Sequence, residues 1–174
     1  MSPESCNALV ARAEASGFRT ARLQDRGRRN QETFIDCPAT LQVILDALCR
    51  RVASTPKVDF HIVGMGPILE FYKYCNGASI GPHADAAVQV TAGLTSSLTF
   101  VLYLNDGFKG GETFFPDNGL RSRPKAGDGL LFQHDLIHEA SQIDAGTKYI
   151  LRTSVAVTST IPPGARAYDA NAGV

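Results

Sequence analysis

The sequence predicts a mainly β domain with helices in front of it (α+β), its strands arranged as a sandwich or barrel. Three observations carry this. Apolar residues keep a helical period only within the first 56 positions. After Pro56 the chain becomes a series of short runs rich in aromatic and β-branched residues, which suit a pleated surface. Turn signals built on Gly and Asn separate those runs, and many short strands with such turns form a sandwich or barrel.

The elements follow in order. Ser2 caps a first helix with Pro3 at its first position, running through Cys6, Leu9, Val10 and Ala13 to a stop at Gly17. Residues 18–35 read as one or two strands around a basic loop, Arg26-Gly27-Arg28-Arg29, whose charges face solvent. Asp36 and Pro38 open a second helix, with Leu41, Ile44, Leu45 and Leu48 on one face and an end near Pro56. Strands are then expected at Val58–Val63, Ile68–Tyr74, Leu98–Leu104, Gly110–Pro116, Leu130–Phe132 and Tyr149–Val157. Asn76-Gly77, Asn105-Asp106-Gly107, Asp117-Asn118-Gly119 and Ala126-Gly127-Asp128-Gly129 punctuate them. The domain therefore spans 1–159, a helical brace over 1–56 and a strand core over 57–159, and residues 160–174 are expected to form a mobile tail.

Composition excludes several classes of function. Seventeen basic and seventeen acidic residues cancel, which argues against a nucleic-acid binder working through bulk charge. No apolar run is long enough for a membrane helix, so no membrane role is expected. The N-terminus lacks a basic and an apolar signal region, and Cys6, Cys37, Cys49 and Cys75 are scattered, which together predict free thiols and a cytoplasmic location. Cys6 and Cys49 fall on helices as small core residues.

The chemistry-bearing feature is His83-Ala84-Asp85, with His138 far downstream. On a strand His83 and Asp85 point the same way while Ala84 points away. Two imidazoles and one carboxylate can occupy one face of a first-row metal and leave the other open, as in non-haem Fe(II) oxygenases. A structural zinc site would instead want four closed ligands, and the chain has no Cys-x-x-Cys pair. His134 lies four residues before His138 but follows a strand-like run, so it reads as a neighbour of the site or a structural residue. His61 reads as a partly buried structural histidine in a strand, and Glu112 as a residue that holds its loop.

Several motifs then occur in a particular order: Tyr74-Cys75-Asn76-Gly77, His83-Ala84-Asp85, Tyr103-Leu104-Asn105, Gly110-Gly111-Glu112-Thr113, Pro124-Lys125-Ala126-Gly127-Asp128, His138-Glu139 and Gly146-Thr147-Lys148-Tyr149. With these, the segment from about Leu69 to Val157 resembles the prolyl 4-hydroxylase-like branch of the Fe(II)/2-oxoglutarate-dependent dioxygenases. The resemblance implies a double-stranded β-helix, or jelly roll, braced by two or more helices. It also implies Fe(II), 2-oxoglutarate and O2, with ascorbate in a supporting role. His83, Asp85 and His138 match the iron ligands. Lys148, ten residues after His138, matches the cation that anchors the distal carboxylate of 2-oxoglutarate. Tyr103 and Tyr74 match aromatic positions beside that carboxylate. Arg152 lies four residues beyond Lys148 and has three readings: a rival anchor, a contact to an acidic group of the substrate, or a cross-strand ion pair. Many relatives carry Asp where Arg152-Thr153-Ser154 has its serine. Relatives that halogenate lack the metal carboxylate, so the intact Asp85 implies hydroxylation.

The expected function is hydroxylation of an unactivated C–H bond with release of succinate and CO2. A free amino acid or small metabolite is preferred as substrate, held by Arg152 and the loop from Asn118 to Arg123. The alternative is a prolyl-type hydroxylase acting on a peptide, with residues 86–96 over the mouth. A further alternative is a non-catalytic jelly roll that binds metal or senses 2-oxoglutarate.

Overall fold

The computed structural model describes residues 1–21, 29–56 and 58–158, and the backbone of 167–169. Two helices and sixteen strands are found there, namely α1 (Pro3–Ser16), β1 (Arg19–Thr20), β2 (Gln31–Asp36), α2 (Pro38–Ser54), β3 (Ile62–Met65), β4 (Ile68–Tyr74), β5 (Ile80–His83), β6 (Gln89–Thr91), β7 (Leu94–Thr95) and β8 (Leu98–Tyr103). There follow β9 (Lys109–Gly110), β10 (Thr113–Phe115), β11 (Leu120–Ser122), β12 (Gly129–Gln133), β13 (His138–Ala140), β14 (Ile143–Ala145), β15 (Lys148–Val157) and β16 (Ala167–Asp169).

The main sheet runs β1-β2-β4-β15-β8-β12-β16, with β3 added to β15, and a smaller sheet β11-β10-β13-β5 faces it. This is the double-stranded β-helix expected. Alternation along the central strands divides the core in two. Phe71, Phe100, Leu102, Leu151 and Val155 point outward and pack on Cys6, Leu9 and Ala13 of α1 and Ile44, Leu48 and Val52 of α2. Tyr72, Tyr74, Val101, Tyr103 and Ile150 point inward between the sheets, against Phe115, Phe132 and Ile143. The central strand β8 is buried at every position for this reason.

Helix α1 starts and stops as predicted. The Ser5 amide donates to the Ser2 hydroxyl at 3.3 Å, and Gly17 takes φ 78°. Helix α2 differs at its start. Its cap is Cys37 rather than Asp36, without a side-chain cap bond; Arg12 donates to the Cys37 sulfur at 3.1 Å and so ties the two helices together. All four cysteines are free, Cys6 and Cys37 buried, Cys49 half-buried and Cys75 exposed. The strand expected at Val58–Val63 begins only at Ile62, and His61 is exposed rather than partly buried, its backbone tied to Thr158. Of the basic loop only Arg29 is described, its amide donating to Ser79; Arg26, Gly27 and Arg28 lie outside the described residues. Most of the tail 160–174 lies outside them too, but residues 167–169 form a strand paired with β12. No helix among the described residues is long and apolar enough to cross a membrane.

Candidate metal centre

Cross-strand register sets out the inward face of the main sheet as rows. Tyr74 pairs with Lys148 at one end. The next row is Arg19–Glu32–Tyr72–Ile150–Tyr103. Beyond it comes Phe34–Glu70–Arg152–Val101. A cavity of about 580 Å³ opens over these rows, and His83, Asp85 and His138 line it together with Lys148, Tyr74 and Arg152.

The three expected ligands come from two different places. His83 and His138 are direct partners where β5 pairs with β13 in the smaller sheet. Asp85 lies just beyond β5, where its amide donates to the His134 carbonyl at 2.8 Å. Their ligand atoms all lie within 4.8 Å of one another. Asp85 faces both imidazoles, Oδ1 at 3.8 Å from His83 Nε2 and Oδ2 at 3.8 Å from His138 Nε2. On the far side of each ring Nδ1 meets the carbonyl two residues earlier, Gly81 for His83 and Leu136 for His138, at 2.9 Å. A carbonyl only accepts, so each Nδ1 carries the proton and each Nε2 presents a lone pair toward Asp85. Phe132 stacks edge-on to the His138 ring at 4.5 Å and holds it in place.

The electrostatics suit a cation. Burial lowers the His138 pKa to about 4, keeping the imidazole neutral and able to ligate. Burial alone would raise that of Asp85, but Arg152, His138 and a hydrogen bond from Thr99 outweigh it and bring it to about 2. The carboxylate is held at both oxygens: Arg152 Nη2 is 3.1 Å from Oδ1, and the Thr99 hydroxyl donates to Oδ2 at 2.5 Å.

Arg152 forms the cross-strand ion pair among its three readings. Its Nη1 lies 3.0 Å from both oxygens of Glu70, its register partner, while Nη2 takes Asp85. Burial would lower the Arg152 pKa, but these two carboxylates outweigh it and hold the guanidinium above its ordinary value. Tyr72 adds a hydroxyl donor to Glu70 at 2.7 Å.

Lys148 is different. It is 1% exposed, and among the described residues its ammonium makes one hydrogen bond, to the Gly111 carbonyl at 2.6 Å, and no ion pair. Burial lowers its pKa to about 7, against a small opposing pull from Glu112. Tyr74 and Tyr103 turn their rings to the ammonium at 5.2 and 5.3 Å. Tyr74 lines the cavity, whereas the Tyr103 hydroxyl meets Thr113 at 2.7 Å and stays behind the wall. A buried cation without a carboxylate is costly unless an anion joins it. The donor set and this lone cation therefore fit Fe(II) with a 2-oxo dicarboxylate.

Some contacts were not anticipated from sequence. Asn105 donates to the Thr147 carbonyl and accepts from the Tyr149 amide, both at 2.7 Å, and so brackets Lys148. Thr99 is a polar residue in an otherwise apolar strand, and Glu70 a charged residue flanked by apolar ones, which is the signal they offered. The side chain of Glu112 pairs with Arg123 at 3.6 Å, and its backbone carbonyl accepts from Ser141. The loop from Asn118 to Arg123, expected near a small substrate, forms a hairpin and contributes no residue to the cavity; Ala86 and Val88 of the other expected loop do line it.

Comparison with known proteins agrees. A family profile described as the 2OG-Fe(II) oxygenase superfamily matches residues 69–155. The chain is 28% identical over 156 residues to probable prolyl 4-hydroxylase 9 of Arabidopsis thaliana, covering 74% of this chain and 53% of that protein. It thus spans about half the length of that relative. The viral collagen prolyl hydroxylase of Paramecium Bursaria Chlorella virus-1, solved with 2OG, superposes with TM-score 0.66 at 18% identity, over 91% of this chain and 92% of that one. A prolyl hydroxylase from Trichoplax adhaerens, solved with a hypoxia inducible factor peptide fragment, gives 0.63 at 18% identity over 87% and 78%. At such identity the solved structures establish the shared fold.

Proposed function

The chain belongs to the 2OG-Fe(II) oxygenase superfamily, in its prolyl 4-hydroxylase-like branch, and we propose that it hydroxylates a prolyl residue within a peptide or protein. Lys148 carries the cosubstrate half of this reading, as a buried cation facing the cavity without an ion-paired carboxylate among the described residues. The substrate half rests on the relatives, which are named for prolyl hydroxylation, one of them solved with a peptide. They favour the peptide over the free small molecule preferred from sequence. The cavity mouth agrees with this: Phe34 and Val88 line it and are 43% and 40% exposed, apolar groups placed where a chain could lie across them.

In this reading His83, Asp85 and His138 hold Fe(II), and Lys148 neutralises the far carboxylate of 2-oxoglutarate. Bound together, the metal, 2-oxoglutarate and O2 supply the oxidation that places a hydroxyl on carbon and releases succinate and CO2. The chain's own residues bind and orient. Arg152 and Thr99 fix the Asp85 carboxylate, and Glu70 with Tyr72 fixes Arg152. Ile150, Ile80 and Phe132 line the cavity with apolar surface that excludes water from the reacting carbon.

The test is incubation with Fe(II), 2-oxoglutarate and a panel of proline-containing peptides, beside free proline and other amino acids. Gain of one oxygen atom on a peptide proline, with matching succinate, is expected. Oxygen gained only by a free amino acid would return the substrate to the small-molecule class. No oxygen on any target, with metal bound, would favour the non-catalytic reading.

A further inference from the structure

We propose that His134 is a positioning residue for the metal carboxylate, passing a one-way hydrogen-bond chain from the hairpin at residues 88–96 through Thr99 to Asp85. The inference rests on the metal site described above but not on the identity of the substrate. The ring of His134 is buried, 7% exposed, and both its nitrogens are engaged. Nδ1 is 3.0 Å from the Thr99 hydroxyl and Nε2 is 2.9 Å from the Ser96 hydroxyl.

The direction of every bond in this chain is forced. An ionised Asp85 can only accept, so Thr99 spends its single proton on Oδ2. Thr99 must then accept at its other contact, which puts the imidazole proton on Nδ1 of His134. With the imidazole proton on Nδ1, Nε2 of the neutral ring is a bare acceptor and takes the Ser96 proton. The Ser96 oxygen is then free to accept the Val88 amide at 2.9 Å. A neutral imidazole is suited to this place because it donates on one side and accepts on the other. The backbone of His134 supports the same arrangement, its carbonyl accepting from the Asp85 amide and its amide donating to Ser97.

Two consequences follow. With His134 donating to it, the Thr99 hydroxyl cannot turn away from Asp85, so the carboxylate keeps its orientation before metal arrives. And Val88, whose side chain lines the cavity mouth, shares one bonded network with a metal ligand.

Two measurements test this. Long-range proton–nitrogen correlation spectra of the metal-free protein, labelled at histidine nitrogen, should show His134 as the neutral Nδ1–H tautomer, assigned by its loss in His134→Asn. The Nε2–H tautomer would reverse the chain and overturn the proposal. Titration with Co(II), followed by its visible d–d bands, should show affinity lowered by about tenfold or more in both Thr99→Val and His134→Leu. Because His134 acts through Thr99, the double variant should bind no worse than Thr99→Val by more than about threefold, whereas losses that multiply would overturn the proposal. His134→Asn, which keeps a donor toward Thr99, should recover most of the affinity, and it carries the test if His134→Leu fails to fold. Binding of Co(II) with these effects but without hydroxylation of any target would end the hydroxylase reading and leave this inference standing.

Discussion

Replacing Lys148 with methionine should stabilise the ligand-free protein while greatly weakening its affinity for 2-oxoglutarate. The ammonium is buried, and its pKa falls from 10.5 to about 7. A shift of that size corresponds to about 5 kcal/mol of penalty on the charged form. Methionine removes the charge at similar length, but orphans the Gly111 carbonyl at a cost of ~1–3 kcal/mol. The upper bound of the gain is therefore about 2–4 kcal/mol near neutral pH. In a domain of this size that raises Tm by roughly 5–15 °C. The sign of its pH dependence is fixed. Between pH 7 and 10.5 the unfolded chain binds a proton that the folded chain does not, so wild-type stability rises across that window. The advantage of the variant should be largest below pH 7, shrink as pH rises, and be reversed near pH 10.5, where only the orphaned Gly111 carbonyl separates the two proteins. Thermal melts of both proteins at several pH values, with calorimetric titration of 2-oxoglutarate, make the assay. A variant less stable than wild type at neutral pH, or a difference that does not change with pH, would refute the reasoning.

Other outcomes follow from the same contacts. The wild-type affinity for 2-oxoglutarate should be greatest below pH 7 and fall by up to about tenfold per pH unit above it, because Lys148 must take up a proton to meet the carboxylate; a flat profile from pH 6 to 9 by calorimetry would contradict this. Arg152→Met should cost ~3–5 kcal/mol in denaturant unfolding by stranding Glu70 and loosening Asp85, and Glu70→Gln in the same chain should restore part of it. Gly110→Ala should lower stability by about 1–3 kcal/mol or more, since φ is 73° and a Cβ would run into the Gln142 carbonyl, as thermal melts would show.

Much of this was legible before the structure. Strands β4, β8 and β15 announce themselves as runs rich in aromatic and β-branched residues, and α1 by its cap, proline and terminal glycine. The short strands β5 and β13, which carry His83 and His138, were not, because four residues broken by Gly81 and Pro82 in one and three residues in the other hold too little pattern. The H-x-D spacing nevertheless pointed to residues that the fold brings within 4.8 Å of one another together with His138. Asp85 converges on His83 from just beyond the strand, held by the His134 carbonyl rather than by strand alternation. The partner of Arg152 needed register, which one sequence does not supply: only pairing of β15 with β4 places Glu70 opposite it. The chain from Ser96 through His134 to Thr99 joins residues 38 apart, and only the packed sheets bring them together. The preference for a small substrate came from the compactness of the chain, a weak signal when Arg19 of the edge strand β1 and Glu32 and Phe34 of β2 also line the cavity.

Everything above turns on Fe(II) binding at His83, Asp85 and His138 and on Lys148 anchoring 2-oxoglutarate beside it. Anaerobic visible absorption tests both most directly, with Fe(II) and then 2-oxoglutarate added to the purified protein. A new metal-to-ligand charge-transfer band is expected in wild type, lost in Asp85→Ala and requiring far more 2-oxoglutarate in Lys148→Ala. Absence of the band in wild type with metal bound, or a band unchanged by both substitutions, would contradict these roles.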